Sequence, residues 1–373
     1  MTAAPKRSFR PAIPLLLLAL VILLAALWAG LLRIGWAWPL LRPTLPMTHG
    51  PLMVGGFLGT LISLERAVAL AAMEKGRWAR FTYLAPLSTA LGSLLLLFGL
   101  NSPLAPLLIT LGSLGLLLMM VRIYTLHPAL YAAVLVLGAA AWGIGNLAWL
   151  LGRPVPGVVL WWLAFLVLTI AGERLELSRL LRLGRAAQAM FLVAVVLLLA
   201  GCLVSMVVAL YIPGVRLAGA GLLLLAGWLL HYDIARRRVR AGGQARFIAL
   251  ALLAGYVWLG ISGLLALLYG GATAGPHYDA ILHAVFLGFV FSMIFAHSLI
   301  IFPAVLGRSL RYRPFFYAPL LLLNLSVVLR VFGDLASAFV LRRWGGLLSA
   351  LAILLFFATV AVTLRLGSGA GGG

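Results

Sequence analysis

Read for hydropathy alone, the chain is a succession of apolar stretches separated by short polar or basic breaks. Most stretches run about 18 to 25 residues, the length a helix needs to cross the hydrocarbon core of a bilayer. Twelve can be laid out, over residues 13–32, 49–72, 81–100, 103–124, 130–151, 158–173, 187–211, 215–231, 247–269, 279–303, 315–334 and 346–364. Lipid offers the backbone no hydrogen bonds, so each stretch must satisfy its own amides as a helix. The pattern predicts an all-α polytopic membrane bundle of about 12 transmembrane helices, one domain over residues 1–366. The run GlySerGlyAlaGlyGlyGly at 367–373 predicts a flexible tail.

Composition supports this and removes other classes. Of 373 residues, 64% are hydrophobic and 9% charged, and the mean hydropathy of +1.16 lies far from that of soluble domains. A net charge of +21 would suit a nucleic-acid binder. Its distribution points instead to a membrane. With the amino terminus inside, the inner segments hold Lys6, Arg7, Arg10, Lys75, Arg77, Arg80, Arg122, Arg174, Arg179, Arg182, Arg185, Arg236, Arg237, Arg238, Arg240, Arg246, Arg308, Arg311, Arg313 and Arg365. Outside fall only Arg33, Arg42, Arg153, Arg216, Arg342 and Arg343. The excess obeys the positive-inside rule, so both termini are expected in the cytoplasm of a bacterial cell, with the chain crossing its inner membrane many times. The first apolar run is too long for a signal-peptide core and is read as helix one. A lone cysteine, Cys202, excludes a disulfide framework or a multi-cysteine metal centre.

Candidate chemistry starts with the histidines of helix ten. His283 and His297 are fourteen residues apart, on nearly one helix face but roughly 21 Å apart in depth, so they cannot share an ion. Even-numbered helices enter from outside, which makes helices two and ten parallel. His49 opens helix two and His283 lies about one turn into helix ten, so the two imidazoles are expected at similar depth near the outer surface. That arrangement suits the two axial ligands of one haem. Gly56, Thr60 and Ser63 follow His49 on about the same face and leave room for a flat macrocycle. Arg330, near the outer end of helix eleven, is a candidate for the haem propionates, with Asp334 four residues on as its intrahelical partner. His297 lies deeper, near the level of Glu65 and Glu173. It is a further candidate ligand, or part of a polar or proton-handling network with those carboxylates. The plainer reading makes the histidines hydrogen-bonded packing residues and Arg330 a snorkelling cation. His127, His231 and His277 fall at the surfaces.

These residues resemble a known family. His49-Gly50-Pro51-Leu52-Met53-Val54 is similar to the start of helix two in subunit I of haem-copper oxidases, where the histidine binds the low-spin haem. His283 matches the partner histidine of helix ten, and the helix count agrees. Helices six and seven lack the histidines that would bind copper, and helix ten lacks a His-x-His pair. The resemblance therefore implies a haem b without copper and without the oxygen-reducing centre. Among relatives the chain looks most like NnrS proteins, haem-containing membrane proteins linked to the nitric oxide response, through His49 with Gly56-Phe57 and through His283-Ala284. It implies electron transfer to a redox partner, or handling of a small gaseous ligand, in the lipid bilayer and without nucleic acid. Two other readings compete. Glycine pairs at 55–56 and 270–271 could break helices in a secondary transporter, and a non-catalytic membrane subunit would carry no cofactor.

Overall fold

The computed structural model describes residues 12–74, 80–99, 103–178, 183–306 and 310–368, the last three residues of each of the final two stretches by backbone only. The inner-face cations Lys6, Arg7, Arg10, Lys75, Arg77, Arg179, Arg182 and Arg308, the turn at Asn101 and Ser102, and the tail from residue 369 lie outside the described residues.

Among the described residues the chain is all-helical, and eleven helices are long and apolar enough to cross a membrane. They are α1 (Ala12–Arg33), α2 (Leu45–Met73), α4 (Leu104–Leu126), α5 (Leu130–Leu150), α6 (Val155–Ser178), α7 (Arg185–Ser205), α8 (Val208–Tyr232), α9 (Gly243–Tyr269), α10 (Gly275–Pro303), α11 (Pro314–Leu335) and α12 (Phe339–Arg365). The twelfth apolar stretch forms α3 (Leu84–Phe98), at 15 residues shorter than expected. A helix of that length spans about 22 Å, less than the roughly 30 Å hydrocarbon core. Its outer end stops at Gly99, whose φ of 74° is a left-handed cap. Arg42 reaches over from the loop after α1 and donates Nη2–H to the Leu96 carbonyl at 3.0 Å.

Successive helices pack as hairpins, α7 on α8, α11 on α12 and α5 on α6. Small residues bring them close: a Cβ at Gly201 of α7 would lie 2.3 Å from the Ala218 amide of α8. The centre of the bundle belongs to α6, α10 and α2, buried over 78%, 72% and 61% of their apolar windows, against 39% for α7 and α8. The two helices carrying the candidate ligands are thus interior, which is where polar side chains at membrane depth belong. Both also depart from α geometry at the same place. In α2 residues Leu52–Leu58 are π-helical, and in α10 Ala284–Phe291 are, each run beginning just after the histidine. The glycine pair at 55–56 lies within the first run, and Gly270 ends α9, so neither pair breaks a spanning helix.

Candidate functional site

The structure brings His49 and His283 together, their ring planes nearly parallel, at a cavity toward the end of the bundle that the charge distribution assigns to the outside. Their ring centres are 6.3 Å apart and their planes 17° from parallel. Eight residues further along each helix, Phe57 and Phe291 repeat the pairing, with centres 6.2 Å apart and planes at 14°. The helices therefore run parallel and in register, so each position on α2 faces its counterpart 234 residues later on α10.

Each imidazole is oriented by its own neighbours. His49 donates Nδ1–H to the Ala26 carbonyl of α1 at 2.8 Å. His283 donates Nδ1–H to the Asp279 carbonyl one turn back, at 2.9 Å, with Asp279 Oδ1 3.2 Å away. In both rings the hydrogen bond places the proton on Nδ1, leaving Nε2 with a free lone pair, the tautomer of a metal-ligating histidine. Gly30 makes room for the first ring. A Cβ there would lie 2.7 Å from His49 Cε1 and 2.8 Å from Nδ1.

Between the rings and around them is a cavity of about 230 Å³. Its walls are mostly apolar, from Val54 and Met53 on α2, Val159 and Trp162 on α6, and Phe286 and Leu287 on α10. Trp162 is held by donating Nε1–H to Asn146 Oδ1 of α5 at 2.9 Å. Charge gathers at the outer end, where Arg33, Asp279, Arg330 and Arg342 reach the cavity.

Arg330 lies where expected, but its partner is different. Its guanidinium grips Asp279 with two hydrogen bonds, Nε at 2.8 Å and Nη2 at 3.0 Å. Asp334, proposed as the intrahelical partner, turns instead toward α12 and pairs with Arg342 at 2.9 Å. The cause is packing: Asp334 is 1% exposed on the side of α11 against which α12 closes, with the backbone of Arg342 near enough to leave only hydrogen at Gly333. Asp279 consequently joins three groups, the Arg330 fork, Arg342 at 3.6 Å and the His283 ring. Asp279 thus holds the His283 ring through its main-chain carbonyl and sets a carboxylate charge beside it, and a carbonyl or carboxylate at the far nitrogen is the usual outer support of a metal-binding histidine.

Asp279, Gly30, Trp162 and the Phe57–Phe291 pair were not singled out from sequence. Asp279 was within reach of it, because a carboxylate four residues before His283 lies on the same helix face. The other three depend on which helices touch.

His297 is remote from this cavity, in a second one that also reaches Glu65 and Glu173. His277 stacks on Tyr269, centres 4.0 Å apart, and His231 meets Tyr232 edge-on, so neither joins a site. Among the described residues there is no group of three or more His, Cys, Asp or Glu side chains that could hold a metal ion.

Fold and cavity together define a multi-pass helical membrane protein with an interior pair of opposed imidazoles. The chain belongs to the family described as "Domain of unknown function (DUF8744)", whose model matches residues 12–365. No curated protein and no solved structure matches it.

Proposed function

We propose that this chain is a b-type haem protein of the bacterial inner membrane, with His49 and His283 as the two axial ligands and electron transfer as its work. The observation that carries this reading is the ring pair, 6.3 Å between centres and nearly parallel. A metal–imidazole nitrogen bond runs about 2.0–2.1 Å, as for zinc, and a ring centre lies about 1.1 Å behind its nitrogen. Two imidazoles on opposite sides of one ion therefore hold their centres about 6.3 Å apart.

Two protein ligands suffice only if the other positions come from elsewhere. A porphyrin brings four nitrogens of its own, which fits a site with two imidazoles where, among the described residues, no group of three side chains could hold a metal ion. When bound, the haem would supply one-electron chemistry. The chain's residues do the rest. Ala26 and Asp279 fix the two rings, the mostly apolar walls suit a flat apolar macrocycle, and the arginines at one end favour its anionic edge there. Arg330 enters this with part of its fork committed to Asp279, so Arg33 and Arg342 share the role first given to it alone. With both axial positions filled by protein, electron transfer is favoured over binding of nitric oxide.

The test is to purify the full-length protein in detergent, measure bound haem per chain, and repeat with His49→Ala and His283→Ala. One haem per chain in the parent, and none retained by either variant of normal yield and helicity, is expected. A parent protein without haem after expression in haem-sufficient cells contradicts the reading.

A further inference from the structure

The second cavity lies between α2, α6 and α10, on the side the charge distribution assigns to the cytoplasm, and measures about 80 Å³. Leu58 stands in the wall of both cavities and separates them. The inner one is apolar apart from a few groups whose hydrogen bonds can be followed one by one. His297 donates Nδ1–H to the Met293 carbonyl at 2.8 Å, and its Nε2, buried and carrying the lone pair, has no partner. Two hydroxyls in the wall are already committed: Thr169 donates to the Phe165 carbonyl at 2.8 Å and Ser298 to the Phe295 carbonyl at 2.9 Å. Neither proton is left for the imidazole.

Among the described residues, charged side chains surround this space. Arg66 of α2 is paired with Glu173 of α6. Arg174 of α6 grips Asp233, just past α8, through Nε at 2.7 Å and Nη2 at 2.8 Å, beside the buried Tyr256 of α9. These are two neutral pairs. Glu65 lies farther from the same guanidinium, 3.9 Å from Arg66, whose nearer partner is Glu173. Among the described residues, two arginines and three carboxylates gather here. A lone-pair nitrogen and the Glu65 carboxylate thus face one small space, and the nitrogen needs hydrogen from a third party. Glu65, in the wall of this space, is 27% exposed.

We propose that the inner cavity is a proton-binding water site, with His297 Nε2 and the Glu65 carboxylate at its two ends. The space admits a few water molecules, each needing about 10–15 Å³ of such volume. One added proton on Nε2 supplies the donor that a bridging water or the carboxylate can accept from. A bare metal cation suits the site less well, because hard cations take several oxygen ligands and here one carboxylate and one imidazole are offered.

Histidine-selective ¹⁵N NMR of the full-length protein in detergent reads the site without any chromophore, so its outcome is separate from the haem reading. His297→Gln identifies the resonance among six histidines, and the other five serve as the control for folding. The expected result is that His297 takes up a proton as pH falls. Glu65→Gln should lower its proton affinity, because a carboxylate lining the same cavity favours imidazolium, and Arg66→Gln should raise it. A His297 signal indifferent to pH, or unmoved by Glu65→Gln, overturns the proposal. A titration that shifts when sodium replaces a bulky organic cation in the buffer also overturns it, since the occupant would then be a metal ion.

Discussion

Helix α10 carries two histidines on nearly one face, and the bundle treats them differently. At His283 the opposing helix presents a second imidazole, His49, in register. Fourteen residues on, opposite His297, the register places Ser63. The outer ring gains a partner across a cavity of about 230 Å³, an orienting carboxylate and a cluster of arginines. The inner ring faces about 80 Å³, a glutamate and an unpaired Nε2. What a membrane histidine does is decided by the helix across from it, because an ion needs ligands from two sides and a proton does not.

The comparison breaks most sharply if either outer imidazole is removed. His49→Ala or His283→Ala should abolish haem retention, read by absorbance of the purified protein, while His297→Ala leaves the same spectrum unchanged. If all three variants behave alike, the distinction between the two sites fails.

The next largest effect is expected at Asp279. Asp279→Asn leaves the Arg330 guanidinium without its counter-charge in a part-buried setting, which costs about 3 kcal/mol when an ion pair loses one member. It also takes the carboxylate charge from beside His283, which keeps its bond to the Asp279 main-chain carbonyl, so haem affinity should fall toward the low end of the about 10–100-fold that outer supports are worth. Thermal unfolding followed by circular dichroism, and haem loss to a scavenging apoprotein, measure the two parts separately. Equal thermal stability and haem loss in variant and parent would remove Asp279 from the account.

A milder test acts on space alone. In Gly30→Ala the new methyl would lie 2.7 Å from His49 Cε1, tighter than any ordinary contact, so the ring or α1 must shift. Haem should be bound several-fold more weakly, with the redox potential displaced. The smallest effect belongs to Arg122→Gln, which breaks a pair with Glu74 whose arginine is 54% exposed. Its change in stability should stay below about 1 kcal/mol, and a larger loss would show that surface pairs, and not the interior ones at Asp279, dominate the bundle.

Much of this was legible in the sequence, for a physical reason. Apolar length reports spans directly, and counting spans gives direction, so the common depth of His49 and His283 could be read without coordinates. The partner of Arg330 could not. Helical spacing offered Asp334 at i+4, yet Asp279 on another helix holds it, because the close approach of α11 and α12 at Gly333 turns Asp334 toward Arg342. The π-helical runs after both histidines were equally hidden, since their hydropathy is that of any spanning helix. The Phe57–Phe291 stack follows from the same register as the histidines, and is visible once α2 and α10 are known to be parallel.

The most direct measurement is the electron paramagnetic resonance of the oxidised, full-length protein, joined to an absorption spectrum of the reduced form with and without carbon monoxide. Two imidazoles closing one iron predict a low-spin signal and a reduced spectrum that carbon monoxide leaves unchanged. A high-spin signal with a carbon monoxide adduct, or no haem signal at all, would contradict the claim that His49 and His283 hold one iron between them.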